Sequence, residues 1–315
     1  MSAARPAVTV VVPSHGRPLR LRWLLNALEE QSLPRQDWEL VVVTDDAGEE
    51  TPRLLESHPL TGAGVLRHHL LPPGTGSPAR QRNVGWRAAR APLVAFTDDD
   101  CRPDPGWLDA LLAVAADAPG SIVQGATRPD PYELAVLAAP RTRTLRVEPP
   151  QRECPTCNVL YPRALLERMG GFDEAFGGPA GEDTDLAERA RATGAALAAA
   201  PAAVVFHAVE SFSLPAMVRL TWKWRALPLL FRRHPGLRAD RLTLGLFWKR
   251  SHPRLLLALA GLAGARRSRA LALLALPYLE YATSVHGHGA TGVARAVAEL
   301  PSRAVVDLAE VAAIA

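Results

Sequence analysis

The amino-acid sequence predicts an α/β domain with a mostly parallel sheet flanked by helices, followed by a C-terminal helical extension. Strand-like and helix-like segments alternate through the first half of the 315 residues, which is typical of a parallel sheet covered by helices. Polar clusters follow the first, second and fourth predicted strands, and such sheets bind ligands at the carboxyl ends of their strands. From Leu214 onward the character changes, so we expect two domains, 1–212 and 213–315.

The predicted strands begin with a continuous β-branched run, as expected for a strand buried on both faces. They cover Val8–Val12, Glu39–Val43, Val65–Leu70, Leu93–Phe96, Ile122–Ala126, Asn158–Tyr161 and Ala203–Phe206. The predicted helices lie between them and cover Leu19–Leu28, Pro78–Ala89, a segment ending at Met169, and Thr184–Thr193. The Pro- and Arg-rich segment Thr127–Arg152 is predicted to be a loop.

Composition and charge indicate a globular protein with a basic C-terminal region. The chain is 48% hydrophobic and 22% charged, which excludes an intrinsically disordered protein. Residues 215–270 contain thirteen Lys or Arg and one acidic residue, and such a block favours an anionic partner. The apolar runs Leu255–Ala265 and Ala270–Leu279 are shorter than the roughly 20 residues that span a bilayer. With the neighbouring aromatic residues they favour a membrane-surface arrangement, and a helical subdomain packed on the catalytic core is the alternative.

The N-terminus and the cysteines bear on the cellular compartment. Residues 1–12 lack the basic start and long apolar core of a signal peptide, so we expect the catalytic part to face the cytoplasm. Cys101, Cys154 and Cys157 are too few for a disulfide framework. Ordinary reduced cysteines are the favoured interpretation, and a redox or metal role for the C-P-T-C segment stays open.

Asp98, Asp99 and Asp100 follow the predicted strand Leu93–Phe96. Three adjacent carboxylates repel one another unless a cation lies among them. Mg²⁺ and Mn²⁺ prefer oxygen ligands and bind one or two carboxylates together with substrate phosphates. We therefore expect a Mg²⁺ or Mn²⁺ site that holds a diphosphate, and a solvated acidic turn is the alternative.

A second acidic pair, Glu182 and Asp183, follows Gly181 at the start of a predicted helix. Acidic residues there can simply stabilise the helix. A carboxylate that faces a metal site can also be a general base that deprotonates an attacking hydroxyl. His207 ends a short predicted strand and could complete the metal shell, bind phosphate or be structural.

Five short motifs occur in the sequence, and their order along the chain is more informative than any one of them alone. They are Val8-Thr9-Val10-Val11-Val12-Pro13-Ser14, Asp45-Asp46, Arg82-Asn83-Val84-Gly85, Phe96-Thr97-Asp98-Asp99-Asp100 and Gly181-Glu182-Asp183. Together they resemble the family-2 glycosyltransferases over about two-thirds of the chain, from Val8 to His207. The resemblance implies a GT-A fold, a nucleotide-diphosphate sugar donor, a divalent metal and inversion at the transferred sugar, in an enzyme of the bacterial cell-envelope type.

The resemblance also implies roles for individual residues. Nucleotide-sugar binding is implied for Pro13, Ser14, Arg17, Asp45, Asp46, Arg82, Asn83, Asp98 and Asp99. Metal binding is implied for Asp98, Asp100 and His207, with Asp100 as the expected direct ligand. Asp183 matches the catalytic base that deprotonates the acceptor hydroxyl, and Glu182 beside it is expected to place the acceptor.

The C-terminal third departs from the better-known members of the family. Residues 219–224 lack the glutamine of the Q-x-x-R-W motif found in processive members such as cellulose synthase, so we expect one sugar to be added. The expected acceptor is a glycan or a lipid-linked molecule. The expected location is cytoplasmic and peripheral on an anionic inner membrane surface. Nucleic acid is not an expected partner, because no nucleic-acid-binding module is recognisable.

Two other interpretations share the predicted sheet. A nucleotidyltransferase would also have an acidic metal site, but its first strand is usually followed by a Gly-rich loop bearing Arg or Lys. Here only Ser14-His15-Gly16-Arg17 is present. A catalytically inactive, membrane-associated scaffold that retains the fold is the second alternative, and the intact Asp100 and Asp183 disfavour it.

Overall fold

A computed structural model of the chain describes residues 5–287 and 289–314. The first four residues and the last one, which the two predicted domains include, lie outside the described part. The chain divides into two compact units, Met1–Glu210 and Ser211–Ala315. The first unit contains the large sheet, and the second is helical in its described part.

The strands of the sheet include all seven that the sequence predicts. In chain order the strands are β1 (Val8–Ser14), β2 (Trp38–Thr44), β3 (Leu66–Leu70), β4 (Leu93–Phe96), β5 (Cys101–Pro103), β6 (Ile122–Pro129), β7 (Thr142–Arg143), β8 (Val159–Pro162), β9 (Leu197–His207) and β10 (Glu210–Ser211). Eight strands form one sheet in the order β3-β2-β1-β4-β8-β6-β9-β5. The first four in this order are mutually parallel, β6 and β9 are parallel to each other, and β8 and β5 are antiparallel to their neighbours. This mostly parallel sheet confirms the predicted fold class.

Helices cover both faces of the sheet. Those of the first unit are α1 (Pro18–Glu29), α2 (Glu50–Ser57), α3 (Pro59–Gly62), α4 (Pro78–Arg87), α5 (Trp107–Asp117), α6 (Arg163–Met169) and α7 (Glu182–Ala192). Alternate residues of β1 enter two separate cores. Val8, Val10 and Val12 belong to the core that contains the leucines of α1, whereas Val11 packs in the core with Trp86 of α4. Because both faces are covered, the strand is a continuous apolar run.

Helix α4 lies directly against β1 because a glycine faces the strand. A β-carbon at Gly85 would lie 2.3 Å from Cγ1 of Val11, far inside van der Waals contact. A larger residue would therefore push the helix away from the sheet. The same helix carries Arg82 and Asn83, which are both buried, so this contact fixes the position of two predicted site residues.

The prediction of a loop over Thr127–Arg152 is wrong at its beginning. Strand β6 continues to Pro129, and a 3-10 helix covers Pro131–Ala138. The carboxylate of Asp130 caps this helix by accepting a hydrogen bond from the backbone amide of Tyr132, at 2.9 Å. Prolines obscured this element in the sequence, although a proline in the first turn of a helix is compatible with helical geometry.

The described part of the second unit is built from helices, of which the last is the longest with 25 residues. They are α8 (Leu214–Thr221), α9 (Leu227–Arg233), α10 (Pro235–Arg241), α11 (Ser251–Gly264), α12 (Leu276–Ser284) and α13 (Ala290–Ile314), with 3-10 helices at Trp222–Ala226 and Arg269–Ala275. Leu255, Ala258 and Tyr278 are buried together, and Leu300 and Ala304 of α13 pack against them. Across the described residues, none of the helices combines the length and the apolar character needed to cross a membrane.

A buried polar network joins α11 to α13 in this unit. The ammonium of Lys249 donates to Glu310 Oε1 at 2.7 Å, and His252 Nε2 lies 3.1 Å from Glu310 Oε2. Tyr278 donates to Asp307 at 3.0 Å. The histidine and the two carboxylates lie close enough to hold a metal ion. Because Lys249 already supplies a positive charge and the carboxylates have partners, we interpret the network as structural.

Candidate active site

The acidic turn between β4 and β5 is closely surrounded by positive charge. Arg17, in the loop after β1, places Nη1 at 2.5 Å from Asp100 Oδ2 and Nη2 at 2.5 Å from Asp99 Oδ1. Arg82 of α4 donates from Nη2 to Asp98 Oδ1 at 2.7 Å. Two guanidinium groups from different elements therefore compensate the three carboxylates, as the mutual repulsion of adjacent carboxylates requires.

The carboxylates of Asp99 and Asp100 differ in the direction of their pKa shifts. Burial raises the pKa of Asp99 to about 7, and the charges of Asp100 and Asp98 add to this effect. Burial alone would also raise the pKa of Asp100, but the interactions of its carboxylate with His207 and with the guanidinium of Arg17 outweigh this effect and lower the pKa. Asp100 is therefore the carboxylate that stays ionised, which is the state a metal ligand needs.

His207 is brought to the acidic turn by strand pairing. Strands β5 and β9 are antiparallel, and their register sets His207 opposite Cys101. His207 Nε2 lies 3.6 Å from Asp100 Oδ1, too far for a hydrogen bond. Asp100 Oδ1 is buried and has no hydrogen-bond partner among the residues that the structure describes. His207 and Asp100 are therefore close in space because β5 pairs with β9, although they are far apart in the sequence.

The donor atoms of this turn fit a divalent cation. His207 Nδ1 lies 2.9 Å from the carbonyl oxygen of Ala208; the tautomer that donates this hydrogen bond leaves the lone pair of Nε2 free. That lone pair and the unpartnered Asp100 Oδ1 face each other, and oxygen with imidazole nitrogen suits Mn²⁺ or Mg²⁺. The Cys101 sulfur lies in the same cluster, but burial raises the pKa of this thiol well above its usual range. It remains a thiol, which is a poor ligand for a hard cation.

Arg82 connects the acidic turn to the start of α7. Its Nη1 donates to Glu182 Oε1 at 3.0 Å, while its Nη2 holds Asp98. Burial raises the pKa of Glu182 to about 7, helped by the neighbouring charge of Asp183. The structure thus brings together the predicted metal ligands and the predicted catalytic pair through one buried guanidinium.

Asp183 has one carboxylate oxygen that is held and one that is free. Its Oδ1 accepts hydrogen bonds from the backbone amide of Thr184 at 2.7 Å and from the hydroxyl of Thr184 at 3.3 Å. Its Oδ2 makes no hydrogen bond with the described residues and is accessible to solvent. Burial raises the pKa of this carboxyl. An oriented carboxylate with an accessible oxygen and a raised pKa has the properties of a general base.

Asp45 organises the loops at the ends of β1 and β2. Its Oδ1 lies 2.7 Å from His15 Nδ1 and accepts from Gln81 Nε2 at 3.0 Å, and its Oδ2 accepts from the amide of Gly76 at 2.9 Å. Gln81 also donates to the backbone oxygen of Ser14 at 2.9 Å. The side chains of His15 and Gln81 thus belong to the site. Neither was a predicted site residue, although each lies next to one in the sequence, His15 to Ser14 and Gln81 to Arg82.

Two predicted nucleotide residues are placed differently from the rest. Asn83 donates to the backbone oxygen of Phe172 and to Glu174, both at 2.8 Å, and accepts from the amide of Phe172 and the indole of Trp86, both at 2.9 Å. These four bonds use the whole hydrogen-bonding capacity of its amide, so Asn83 clamps the loop after α6. Asp46 accepts a hydrogen bond from Thr51 in α2 at 2.6 Å, so one of its oxygens is already engaged.

Pro13 and Ser14 lie in β1 itself rather than in the loop after it. Both are buried at the carboxyl end of the strand. The loop residue that reaches the carboxylates is Arg17. The carboxyl edge of the sheet therefore collects the residues that the sequence places after β1, β2 and β4.

Residues 9–170, just over half of the chain, match the protein family described as Glycosyl transferase family 2. The chain belongs to this family. This chain is 32% identical to the pre-mycofactocin glycosyltransferase of Mycobacterium tuberculosis over 211 aligned residues. The alignment covers 64% of this chain and 42% of that protein. The chain thus spans less than half the length of this curated relative.

The fold of this family-2 chain is also found in solved structures. A mannosyltransferase from Pyrobaculum calidifontis, in complex with GDP-Man and Mn²⁺, matches with a TM-score of 0.60 at 21% identity, over 98% of this chain and 86% of that chain. A fragment of TarS from Staphylococcus aureus, in complex with UDP, matches with a TM-score of 0.54 at 16% identity, over 97% and 89% of the two chains. At these identities the likeness establishes the GT-A fold.

Proposed function

We propose that this chain transfers a single sugar, with inversion, from a nucleoside-diphosphate donor to an acceptor hydroxyl, and that it requires Mg²⁺ or Mn²⁺. One observation carries the proposal: Arg82 joins the acidic turn at Asp98 to the helix start that presents the free Oδ2 of Asp183. A cation-binding turn and a carboxylate base at one sheet edge are the two parts that a direct displacement at a sugar carbon needs.

The metal ligands we propose are Asp98, Asp100 and His207. The bound ion would supply positive charge that stabilises the diphosphate as it leaves. Arg17 pairs with Asp99 and Asp100, and we propose that its guanidinium would turn to the donor phosphates when a cation is bound at Asp100. Asp99, which is fully buried, holds the turn by accepting from the amide of His15 at 3.3 Å.

Asp183 acts as the base in this proposal. Its Oδ2 removes the proton of the acceptor hydroxyl, whose oxygen bonds to the anomeric carbon on the face opposite the nucleotide. The bond from that carbon to the diphosphate oxygen breaks, and its electron pair leaves with the diphosphate. Glu182, held by Arg82, is proposed to place the acceptor.

The nucleotide is proposed to lie along the ends of β1 and β2. Pro13, Ser14 and Arg17 line this part of the edge, and Asp45 or Asp46 would recognise the base or ribose. Asn83, which is bonded to the Phe172 loop, is proposed to contribute to nucleotide-sugar binding by holding the adjacent Arg82 in place. The acceptor is proposed to be a glycan or a lipid-linked molecule.

We also propose that the enzyme works in the cytoplasm. Its three cysteines are free and buried, which suits a reducing compartment, and nucleoside-diphosphate sugars are cytoplasmic metabolites. The inactive-scaffold alternative is disfavoured by the free oxygen of Asp183, which a merely structural helix cap would not need. No Gly-rich phosphate loop follows β1, which disfavours a nucleotidyltransferase.

Calorimetric titration with UDP, GDP and dTDP, each with and without Mn²⁺, tests the donor site. We expect one nucleotide to bind, and to bind at least about tenfold more tightly with Mn²⁺, because its phosphates share the cation with Asp100. Mn²⁺-independent binding of equal strength would contradict the proposed metal site. Binding of none of the three by folded protein would favour the inactive scaffold.

Arg17→Ala should raise the affinity of the nucleotide-free protein for Mn²⁺ by about two- to fivefold, the range of a partly exposed ion pair. The reason is that the guanidinium competes with the cation for Asp100. The same variant should bind the diphosphate nucleotide more weakly. Electron paramagnetic resonance of free Mn²⁺ gives the first quantity and calorimetry the second.

Arg17→Lys is the matched control, since it retains the charge and should change the affinity for Mn²⁺ less. A lower affinity of Arg17→Ala for Mn²⁺ would contradict the competition and would show that Arg17 instead holds the carboxylates in place.

A further inference from the structure

The outer side of α11 is made of leucine and alanine. Its buried positions recur every third residue, at His252, Leu255, Ala258 and Gly261. Between residues 255 and 265 the helix has no charged or polar side chain. The leucines that face solvent are Leu256, Leu257, Leu259 and Leu262, which are 37%, 41%, 43% and 56% exposed. A helix whose outer side faces water normally carries charged residues there, so this side of α11 is built for another environment.

The next segments extend this apolar surface. A β-carbon at Gly261 would lie 2.4 Å from the backbone oxygen of Leu271, so the glycine allows α11 and the following 3-10 helix to pack closely. The second arm of this hairpin adds four exposed leucines, namely Leu271, Leu273, Leu276 and Leu279, at 37%, 62%, 55% and 39%. We call these eight residues the leucine surface. Exposed leucines in such number on two packed segments mark an interaction site in a folded protein.

The turn that joins the two arms is strongly basic. Arg266, Arg267 and Arg269 are all exposed there. Residues 241–279 contain seven Lys or Arg and no Asp or Glu. Leucines beside a solvent-exposed arginine cluster are complementary to the acyl and headgroup layers of an anionic bilayer.

Three aromatic residues of this unit pack on one another and lie apart from the leucine surface in the sequence. Trp224 and Trp248 pack on each other with ring centroids 5.6 Å apart, and Phe231 packs on Trp248 at 6.1 Å. Phe231 is buried. Trp222, by contrast, is 54% exposed. Of the aromatic residues that favoured a membrane-surface arrangement in the sequence, these three pack on one another, and most of the exposed apolar side chains of this unit are leucines.

We propose that the leucine surface, together with Arg266, Arg267 and Arg269, binds the surface of an anionic lipid bilayer. The leucines enter the acyl boundary and the arginines pair with lipid phosphates. The protein is then peripheral on the inner face of the plasma membrane, where anionic lipids are exposed to the cytoplasm. This inference extends the proposed function without depending on it, because it concerns the second unit alone and is tested by binding rather than by transfer.

The test is co-sedimentation of the full chain with vesicles of phosphatidylcholine alone or of phosphatidylcholine with phosphatidylglycerol. We expect binding to the anionic vesicles to be at least about tenfold tighter and to weaken as salt is raised. The double variant Leu259→Glu/Leu273→Glu should lose about tenfold or more of this binding, because it removes apolar contact and adds negative charge. Arg266→Glu/Arg267→Glu/Arg269→Glu should lose the preference for phosphatidylglycerol.

The matched control is Leu19→Glu/Leu70→Glu, which makes the same chemical change at leucines of the first unit that are 57% and 54% exposed. It should bind vesicles as the unchanged protein does. Thermal unfolding followed by circular dichroism checks that each variant is folded.

Three results would overturn the proposal. The first is no binding of the unchanged protein to anionic vesicles at low salt, and the second is unchanged binding of the folded leucine variant. The third is a concentration-dependent dimer that the leucine variant abolishes in sedimentation velocity without vesicles, which would make a second copy of this chain the occupant. Loss of vesicle binding in the leucine variant with an intact donor site in calorimetry would leave the proposed function standing by itself.

Discussion

Asp183→Asn should lower kcat for sugar transfer by about 10²- to 10⁴-fold, the range expected for loss of a general base. Asparagine has nearly the same shape, and its oxygen can still accept the hydrogen bonds that Thr184 donates to Oδ1. The helix start should therefore keep its structure while the free oxygen loses its basicity. Affinity for the nucleotide should change little, since Asp183 is assigned to the acceptor side. Initial rates at saturating donor and calorimetry with the nucleotide separate these two effects.

The pH profile gives this prediction a second measurement. The base must be ionised to accept a proton, and burial raises the pKa of Asp183 above the usual value of a carboxyl group. The rate should therefore fall on the acid side at a higher pH than an ordinary aspartate would give. The residual rate of Asp183→Asn should no longer follow that decline.

Asp117→Asn, at the exposed end of α5, is the control and should retain full activity. Near-normal transfer by Asp183→Asn would show that another group takes the proton. Glu182→Gln would then be the variant to compare, because Glu182 is the other carboxylate at the helix start.

Asp100→Ala should weaken Mn²⁺ binding by at least about a hundredfold and lower transfer accordingly, since a direct ligand contributes more than the supporting residues of a metal site. Asp100 is the carboxylate whose pKa is lowered, by His207 and Arg17 acting against its burial, and its Oδ1 is the buried acceptor without a partner. Mn²⁺ binding in the presence of the nucleotide is the direct readout. Asp117→Ala serves as the control for loss of an aspartate.

Loss of activity in Asp100→Ala with unchanged Mn²⁺ affinity would contradict the assignment. It would indicate that Asp100 only positions Arg17. His207→Ala should produce a smaller loss of the same kind, since Asp98 and Asp100 would remain as ligands.

The parallel half of the sheet could be predicted because its information is local. The strands β1, β2 and β4 are continuous apolar runs that end in polar clusters, and each cluster is found at the carboxyl edge where the sequence placed it. The short strand β5 could not be predicted, since three residues carry too little periodicity. Its existence depends on pairing with β9, about a hundred residues later.

The contacts among the residues of the candidate site could not be predicted from the sequence. Glu182 and Asp98 are joined by Arg82, and Arg17 pairs with residues more than eighty positions away. Such contacts follow from tertiary structure and leave no mark in the spacing of residues. The hydrogen bonds of Asn83 to Phe172 could not be predicted from the sequence either. The motif predicts a role in nucleotide-sugar binding for this residue and gives no sign of its contact with the Phe172 loop.

The pairing of β5 with β9 has a consequence for how this chain could diverge. His207 lies beside the acidic turn only because Val205, Phe206 and His207 pair in register with Pro103, Arg102 and Cys101. Many single replacements along these strands would leave that register intact. An insertion or deletion of one residue there would turn every following side chain to the opposite face and carry the imidazole away from Asp100. We therefore expect relatives that keep the imidazole beside the acidic turn to differ in length at the turns on either end of this ladder rather than within residues 205–207 or 101–103.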